Sequence, residues 1–149
     1  MMGVVADAVM EAGGKVIGVI PEALLARELG HRGITDLRVV DTMHERKAMM
    51  AELADAFVAL PGGIGTFEEF FEVLTWAQLG IHHKPCGLIN TKGYYQPVLD
   101  LLGNAVQEGF MRKEHQELVL PADTVKELLE MIVRHKPIQF QKWIQKKQT

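Results

Sequence analysis

The sequence contains a single cysteine, Cys86, among its 149 residues. One cysteine excludes a disulfide within the chain, and Cys86 opens the apolar segment 86–89. We therefore expect a buried thiol in a reducing compartment, and the cytoplasm is the expected location. The sequence also has no apolar run close to the ~20 residues that a membrane-spanning helix needs, so we predict no membrane partner.

An excess of charge of one sign is lacking as well. The formal net charge is −3, which offers no basic surface for nucleic acid. The hydrophobic share of 48% and the charged share of 23% are typical of a globular domain. We predict one nucleotide-binding domain over residues 1–136. The lysine-rich segment 137–149 is interpreted as a basic, solvated C-terminal tail.

Apolar runs and helical patterns alternate along the chain. The pattern predicts strands at residues 15–20, 37–40, 56–60, 86–89 and 118–120, and helices at 4–12, 22–29, from 43, 66–79, 96–107 and 124–135. Such alternation indicates a mostly parallel sheet covered by helices on both faces. The expected fold is therefore an α/β, Rossmann-like three-layer sandwich.

Residues 61–69 read Pro-Gly-Gly-Ile-Gly-Thr-Phe-Glu-Glu and stand between a predicted strand and a predicted helix. A glycine-rich turn in this position brings bare backbone amides to the positive end of a helix dipole, which favours phosphate binding. The loop also follows the carboxyl end of its strand, where parallel sheets bind ligands. The sequence thus predicts a phosphate site with acids in the next helical turn.

A purely structural interpretation of the same segment stays open. Thr66 and Glu69 have the spacing of a capping box, in which each side chain bonds an amide at the helix start. In this interpretation Gly62, Gly63 and Gly65 supply a tight turn with positive φ. Three glycines in four positions are more than a turn needs, and a second cluster of residues favours the phosphate site.

A second cluster precedes the glycine loop. The spacing of Thr42 and Glu45 predicts another capping box, with a helix that starts at Met43. Arg46 lies in the apolar stripe of that helix and Lys47 at its edge. A buried cation in a first helical turn needs an anionic partner. That partner is either an acid such as Glu69 or the phosphate of a substrate, which suits the guanidinium fork.

Together, residues 43–47 and 61–69 resemble the signatures of the Lonely Guy proteins. These are cytokinin-activating nucleoside 5′-monophosphate phosphoribohydrolases that are often mislabelled as lysine decarboxylases. The resemblance extends over roughly residues 2–132, and paired motifs are more specific than a lone glycine loop. It implies hydrolysis of the N-glycosidic bond of a purine nucleoside 5′-monophosphate, of cytokinin type or AMP, to free base and ribose 5-phosphate.

The resemblance also implies roles for individual residues. Arg46 and Glu69 match the catalytic positions. The implied substrate-binding residues are Glu28, Lys47, Gly62, Gly63, Ile64, Gly65, Thr66, Phe67, Glu68 and Thr75. The chemistry requires no metal and no cofactor. His82 and His83 lack the spacing of a zinc site, and nothing else in the sequence supports pyridoxal phosphate at Lys47.

Two expectations concern departures from a simple enzyme domain. Family members carry a Cys-Gly-Ser stretch and a Gly-Gly-Gly stretch ahead of the point where this sequence starts, so we expect the family's amino-terminal strands to be lacking. A non-catalytic nucleotide carrier or sensor of the same fold is therefore the alternative function. A scaffold subunit is a weaker alternative, because it would leave both charged clusters without a purpose.

The expected partners are a nucleotide and a second copy of the chain. The helices that begin near residues 43 and 66 carry more large apolar residues than one small sheet face needs. The resemblance implies that the surplus is shared between subunits. We therefore predict a homodimer or a higher homo-oligomer.

Overall fold

The computed structural model describes residues 2–25 and 33–138. The chain divides into two compact units, Met1–Ala54 and Asp55–Thr149. Each unit has its own sheet, and every strand pair is parallel.

In the residues that the structure describes, the first unit holds two strands and three helices. They are α1 (Met2–Glu11), β1 (Ile17–Pro21), α2 (Glu22–Leu25), β2 (Asp36–Val40) and α3 (Met43–Leu53). In the sheet Ile17 lies opposite Asp36, and Pro21 lies opposite Val40. Parallel neighbours need a long crossover connection, and α2 begins that connection directly after β1.

The second unit holds three strands and four helices in its described part. They are β3 (Phe57–Ala59), α4 (Ile64–Gln78), β4 (Cys86–Ile89), α5 (Gln96–Gln107), α6 (Lys113–Gln116), β5 (Val119–Ala122) and α7 (Val125–Arg134). A short 3-10 turn, Thr91–Gly93, follows β4. The strand order is β3-β4-β5, so β4 is central.

One face of this sheet is covered by α4 and α5. All four residues of β4 are buried, as expected for a central strand covered on both faces. Cys86 and Leu88 belong to the larger core cluster, together with Phe70 and Leu74 of α4 and Leu102 of α5. The alternation of side chains along a strand sends these two β4 residues to the same face.

The opposite face is covered by α7. Ile89 of β4 packs with Ala122 of β5 and with Leu128 of α7. A Cβ on Gly87 would lie 2.6 Å from the Leu128 side chain, so the close approach of α7 requires glycine there. Helices on both faces of the sheet give the second unit three layers.

The predicted α/β fold with parallel strands between helices is confirmed. Strand β4 and helix α5 have the predicted bounds, residues 86–89 and 96–107. The strands lie in two sheets instead of the one sheet expected, and α6 was not expected. The end of the predicted helix 22–29 and most of the tail 137–149 lie outside the described residues. The single domain over residues 1–136 stays a prediction.

No helix within the described ranges has the length and apolar character needed to cross a membrane.

Candidate active site

The glycine-rich loop joins β3 to α4. Gly63 is the N-cap residue of α4, with φ −93° and ψ −158°. The first helical hydrogen bond runs from the N–H of Phe67 to the carbonyl oxygen of Gly63, at 3.1 Å. The helix therefore starts at Ile64, two residues earlier than predicted.

This helix start contradicts the structural interpretation of the loop. Because Gly63 is the N-cap, Thr66 is the third helical residue, so the capping box predicted from Thr66 and Glu69 is wrong. The tight turn with positive φ is also wrong, because the loop glycines avoid that region. The described glycines with positive φ are Gly13, Gly80, Gly93 and Gly109.

Four backbone N–H groups at the start of α4 are available to a ligand. Those of Ile64, Gly65 and Thr66 have no helical acceptor, because they occupy the first three helical positions. Within residues 2–25 and 33–138, no other group accepts a hydrogen bond from them or from the N–H of Gly63. These donors stand at the positive end of the α4 dipole, which is the arrangement that binds anions.

Packing explains one of the three loop glycines and leaves two unexplained. A Cβ on Gly62 would collide with the side chain of Thr66. A Cβ on Gly63 or Gly65 would meet no atom within 4 Å. Internal packing therefore does not require glycine at these two positions. A ligand that approached the backbone closely would require it.

Two tyrosines of the turn after β4 hold the glycine loop. The hydroxyl of Tyr94 donates to the carbonyl oxygen of Gly62 at 2.5 Å, and that of Tyr95 donates to the carbonyl oxygen of Leu60 at 2.6 Å. The N–H of Tyr95 in turn donates to Oδ1 of Asn90 at 2.7 Å. Burial raises the pKa of the Tyr95 hydroxyl, and neighbouring Tyr94 adds to the effect. Sequence reasoning missed both contacts, because no local pattern links residues so far apart.

The acids follow one helical turn after the loop. Glu68 is exposed and Glu69 is half-buried. Glu69 lies ~4.5 Å further along the helix axis than Thr66, so its carboxylate belongs to the turn next to the free N–H groups. Glu72 is an acid that sequence reasoning missed. It lies four residues after Glu68, and one of its carboxylate oxygens is buried.

Thr75 stands apart from the loop. Its hydroxyl donates to the carbonyl oxygen of Phe71 at 2.7 Å, within the same helix. Nine residues separate it from Thr66, which is ~13 Å along the axis of α4. Thr75 therefore cannot contact the phosphate bound by the loop amides, although its role in substrate contact stays a prediction.

One of the two hydrogen bonds of the capping box predicted for α3 is formed. Oγ1 of Thr42 accepts a hydrogen bond of 3.1 Å from the N–H of Glu45. The Glu45 carboxylate accepts from the N–H of Asp41 at 3.0 Å, one residue before the predicted donor. The chain is thus fixed at the start of α3, immediately ahead of the two predicted cations.

Arg46 is the buried residue of α3, as its position in the apolar stripe predicted. Its exposed fraction is 9%, and its Nε donates to the carbonyl oxygen of Val19 in β1 at 3.1 Å. Lys47 is half-buried and His44 is exposed. Arg46 is therefore held by the strand that lies beside its helix in the first unit.

Apart from Thr75, the predicted site residues fall into three groups. The structure brings together the loop residues and the acids, residues 62–69, at the start of α4 in the second unit. Arg46 and Lys47 belong to the first unit. Glu28 lies outside the described residues. The roles of all three groups stay predictions.

A cavity of about 520 Å³ lies at the carboxyl ends of β4 and β5. Its lining includes three acids, Asp123, Glu127 and Glu130, and one cation, Arg134, but none of the predicted site residues. Three carboxylates would repel a phosphate group, so the glycine loop remains the better candidate. Across the described ranges, no cluster of three or more His, Cys, Asp or Glu side chains has the geometry of a metal site.

The family comparison agrees with the motifs. The model of the family described as "Possible lysine decarboxylase" matches residues 2–132. The chain belongs to this family. The resemblance to the Lonely Guy proteins is confirmed by curated relatives, which carry the name cytokinin riboside 5′-monophosphate phosphoribohydrolase.

Three relatives illustrate the similarity. A probable cytokinin riboside 5′-monophosphate phosphoribohydrolase of Oryza sativa subsp. japonica is 49% identical over 137 residues, which are 92% of this chain and 56% of the relative. The enzyme of that name from Rhodococcoides fascians is 57% identical over 112 residues, 74% of this chain and 57% of the relative. One from Arabidopsis thaliana is 49% identical over 137 residues, 92% of this chain and 64% of the relative. The chain thus spans less than two thirds of the length of these relatives.

Proposed function

We propose that the protein hydrolyses the N-glycosidic bond of a purine nucleoside 5′-monophosphate, of cytokinin type or AMP. The products are the free base and ribose 5-phosphate. The names of the relatives support this substrate class. Because the chain spans less than two thirds of those relatives, the activity of this chain itself is what the experiment has to test.

The observation that carries the proposal is the start of α4. The backbone N–H groups of residues 63–66 have no hydrogen-bond acceptor among the described residues. In the same segment, Gly63 and Gly65 leave open space where a Cβ would lie. A 5′-phosphate fits this combination, because it offers several acceptor oxygens and a negative charge to the helix dipole. In this proposal Gly62, Ile64 and Phe67 complete the loop around that phosphate.

The acids of the next turn suit the bond that breaks. Positive charge develops on the ribose as the base departs, and the carboxylate of Glu69 stabilises it and orients the attacking water. The water oxygen bonds to C1′, and the proton that it releases is taken up by the leaving base. Arg46 is proposed as the second catalytic residue, as the resemblance implies, and Glu28, Lys47, Glu68 and Thr75 are proposed to contact substrate.

Turnover is the direct test. The complete chain is incubated with AMP and with isopentenyl-AMP, and with adenosine and isopentenyladenosine as unphosphorylated controls. The released free base is assayed for all four compounds, and ribose 5-phosphate is assayed for the two monophosphates. We expect ribose 5-phosphate from a monophosphate and little cleavage of the nucleosides. Nucleotide binding in calorimetry without any product would contradict hydrolysis and support the nucleotide carrier or sensor.

We further propose that the protein works in the cytoplasm as a homo-oligomer, at least a dimer. The helix that carries the loop ends in exposed apolar residues, since Leu79 is 67% exposed and Ile81 in the following turn is 66% exposed. An exposed apolar surface of this kind is typical of a subunit boundary. The buried free thiol of Cys86 supports a reducing compartment.

A further inference from the structure

We propose that Tyr94 is a positioning residue for phosphate binding, because its hydroxyl fixes the peptide between Gly62 and Gly63. This inference deepens the proposed function and rests on it, since both place the phosphate at the glycine loop. Tyr94 acts on the loop backbone and not on the reacting atoms.

Peptide planarity connects the hydroxyl to the phosphate site. The Tyr94 hydroxyl donates to the carbonyl oxygen of Gly62 at 2.5 Å. In a trans peptide the C=O of one residue and the N–H of the next point in opposite directions. The N–H of Gly63 therefore points away from Tyr94, on the side of the loop that the tyrosine leaves open.

This peptide is the one in the loop that most needs to be held. Both of its flanking residues are glycine, and a glycine backbone occupies many conformations at little cost. Rotation of the peptide would replace a donor by a carbonyl oxygen at the site, which would repel a phosphate. The Tyr94 bond selects the orientation that presents the donor, so the site is organised before the ligand arrives.

The neighbouring tyrosine has a different task. Tyr95 donates to the carbonyl oxygen of Leu60, and the next residue, Pro61, has no N–H to present to a ligand. Tyr95 is 1% exposed and belongs to the core cluster. Tyr94 is 45% exposed and lies outside the core cluster. Removal of the Tyr94 hydroxyl should therefore leave the fold intact.

The test compares Tyr94→Phe with a matched control, Thr91→Val. Phenylalanine keeps the ring that packs edge-on against Tyr95 and removes only the hydroxyl. Thr91 lies in the same turn, and its hydroxyl donates to the carbonyl oxygen of Asp123 at 3.1 Å, away from the glycine loop. Both variants lose one hydroxyl-to-carbonyl bond, but only the first one touches the phosphate site.

Binding of inorganic phosphate and of ribose 5-phosphate to the complete chain is measured by calorimetry, with adenine as the ligand without phosphate. We expect Tyr94→Phe to weaken both phosphate ligands about tenfold, the effect of roughly one hydrogen bond to a charged group. Adenine affinity should stay unchanged. In Thr91→Val all affinities should match the wild type. With AMP as substrate, the KM of Tyr94→Phe should rise more than its kcat falls.

Unchanged phosphate affinity in a folded Tyr94→Phe protein would overturn the inference. A second measurement needs no variant: in the wild type, the amide resonance of Gly63 should shift on titration with phosphate, and a resonance that does not move also overturns it. The proposed function fails separately. If the wild type forms no ribose 5-phosphate but Tyr94→Phe still weakens phosphate binding, hydrolysis is wrong and the positioning role stands.

Discussion

The Nε of Arg46 donates a hydrogen bond of 3.1 Å to the carbonyl oxygen of Val19, so the first turn of α3 is tied to the middle of β1. This bond uses Nε and not the two terminal nitrogens of the guanidinium group. A lysine in place of Arg46 has neither the Nε donor nor the planar fork, although it keeps the charge. The substitution Arg46→Lys therefore tests the geometry of the Arg46 side chain separately from its charge.

We expect Arg46→Lys to weaken handling of nucleoside monophosphates far more than handling of free nucleosides. Loss of a charge-assisted contact to phosphate typically costs ~1.5–3 kcal/mol, which is more than a tenfold loss in kcat/KM. The measurement is kcat/KM for AMP and for adenosine. Arg38→Lys is the control, because Arg38 forms an ion pair of 3.0 Å with Asp36 in the same unit. Equal losses on both substrates would exclude a phosphate contact of Arg46.

Glu69 takes no part in the cap of α4, whose N-cap residue is Gly63. Since no side chain caps α4, Glu69→Gln removes a charge without removing a cap. We expect turnover of AMP to fall by at least ~10²-fold, the usual cost of losing one electrostatic contact to a transition state. Thermal stability and nucleotide affinity should remain close to those of the wild type.

Specific activity and melting temperature are measured together for Glu69→Gln. Glu117→Gln is the control, because Glu117 is an exposed acid of the second unit outside the glycine loop and α4. A Glu69→Gln protein that melts earlier but keeps its specific activity would give Glu69 a structural role only.

The buried thiol predicts a dependence of stability on alkaline pH. Burial raises the pKa of Cys86 from 9.0 to about 12. A raised pKa means that the unfolded chain loses the proton first, so this contribution to stability is complete below pH 9 and is lost as pH rises towards 12. The loss by pH 12 is roughly 3–4 kcal/mol.

Urea unfolding at several pH values tests this expectation in the wild type and in Cys86→Ala. The variant starts from a lower stability because a buried side chain is truncated. Its free energy of unfolding should nevertheless fall less steeply between pH 9 and pH 12. Parallel curves would show that Cys86 does not titrate with unfolding in this range.

Local signals in the sequence account for much of the fold. Thr124 shows why such prediction works. Its hydroxyl accepts from the N–H of Glu127, and the Glu127 carboxylate accepts from the N–H of Thr124, so the cap is settled within four residues. Strand β4 was predictable for a similar reason, since four consecutive apolar residues match a buried parallel strand.

The parts that could not be predicted depend on distant contacts or on competing local signals. Gly65 has a poor helix propensity, and the spacing of Thr66 and Glu69 imitates a cap, so the sequence predicts a start of α4 that is two residues too late. The contact between Tyr94 and Gly62 joins residues 32 positions apart. The glycine loop follows β3 and the turn with Tyr94 follows β4. Only the parallel pairing of β3 with β4 brings these two segments to the same sheet edge.

The capping box of α7 gives a stability prediction that is independent of function. We expect Thr124→Ala to lower the free energy of unfolding by about 1 kcal/mol, because the N–H of Glu127 loses its acceptor at 3.3 Å. Denaturant unfolding measures the change. Lys126→Ala, an exposed change in the same helical turn, should alter stability by less than ~0.5 kcal/mol. A similar loss in both variants would contradict a specific contribution of the Thr124 cap to stability.

The oligomeric state is tested by light scattering at micromolar concentration. We expect a mass of at least twice the 16.6 kDa of one chain. Leu79→Asp should shift the protein towards the monomer, because a charge on an apolar contact surface must be desolvated on association. Val133→Asp is the matched control, since Val133 is 84% exposed on α7 and away from the end of α4. An active wild-type monomer, or dissociation by Val133→Asp but not by Leu79→Asp, would contradict an interface at the end of α4.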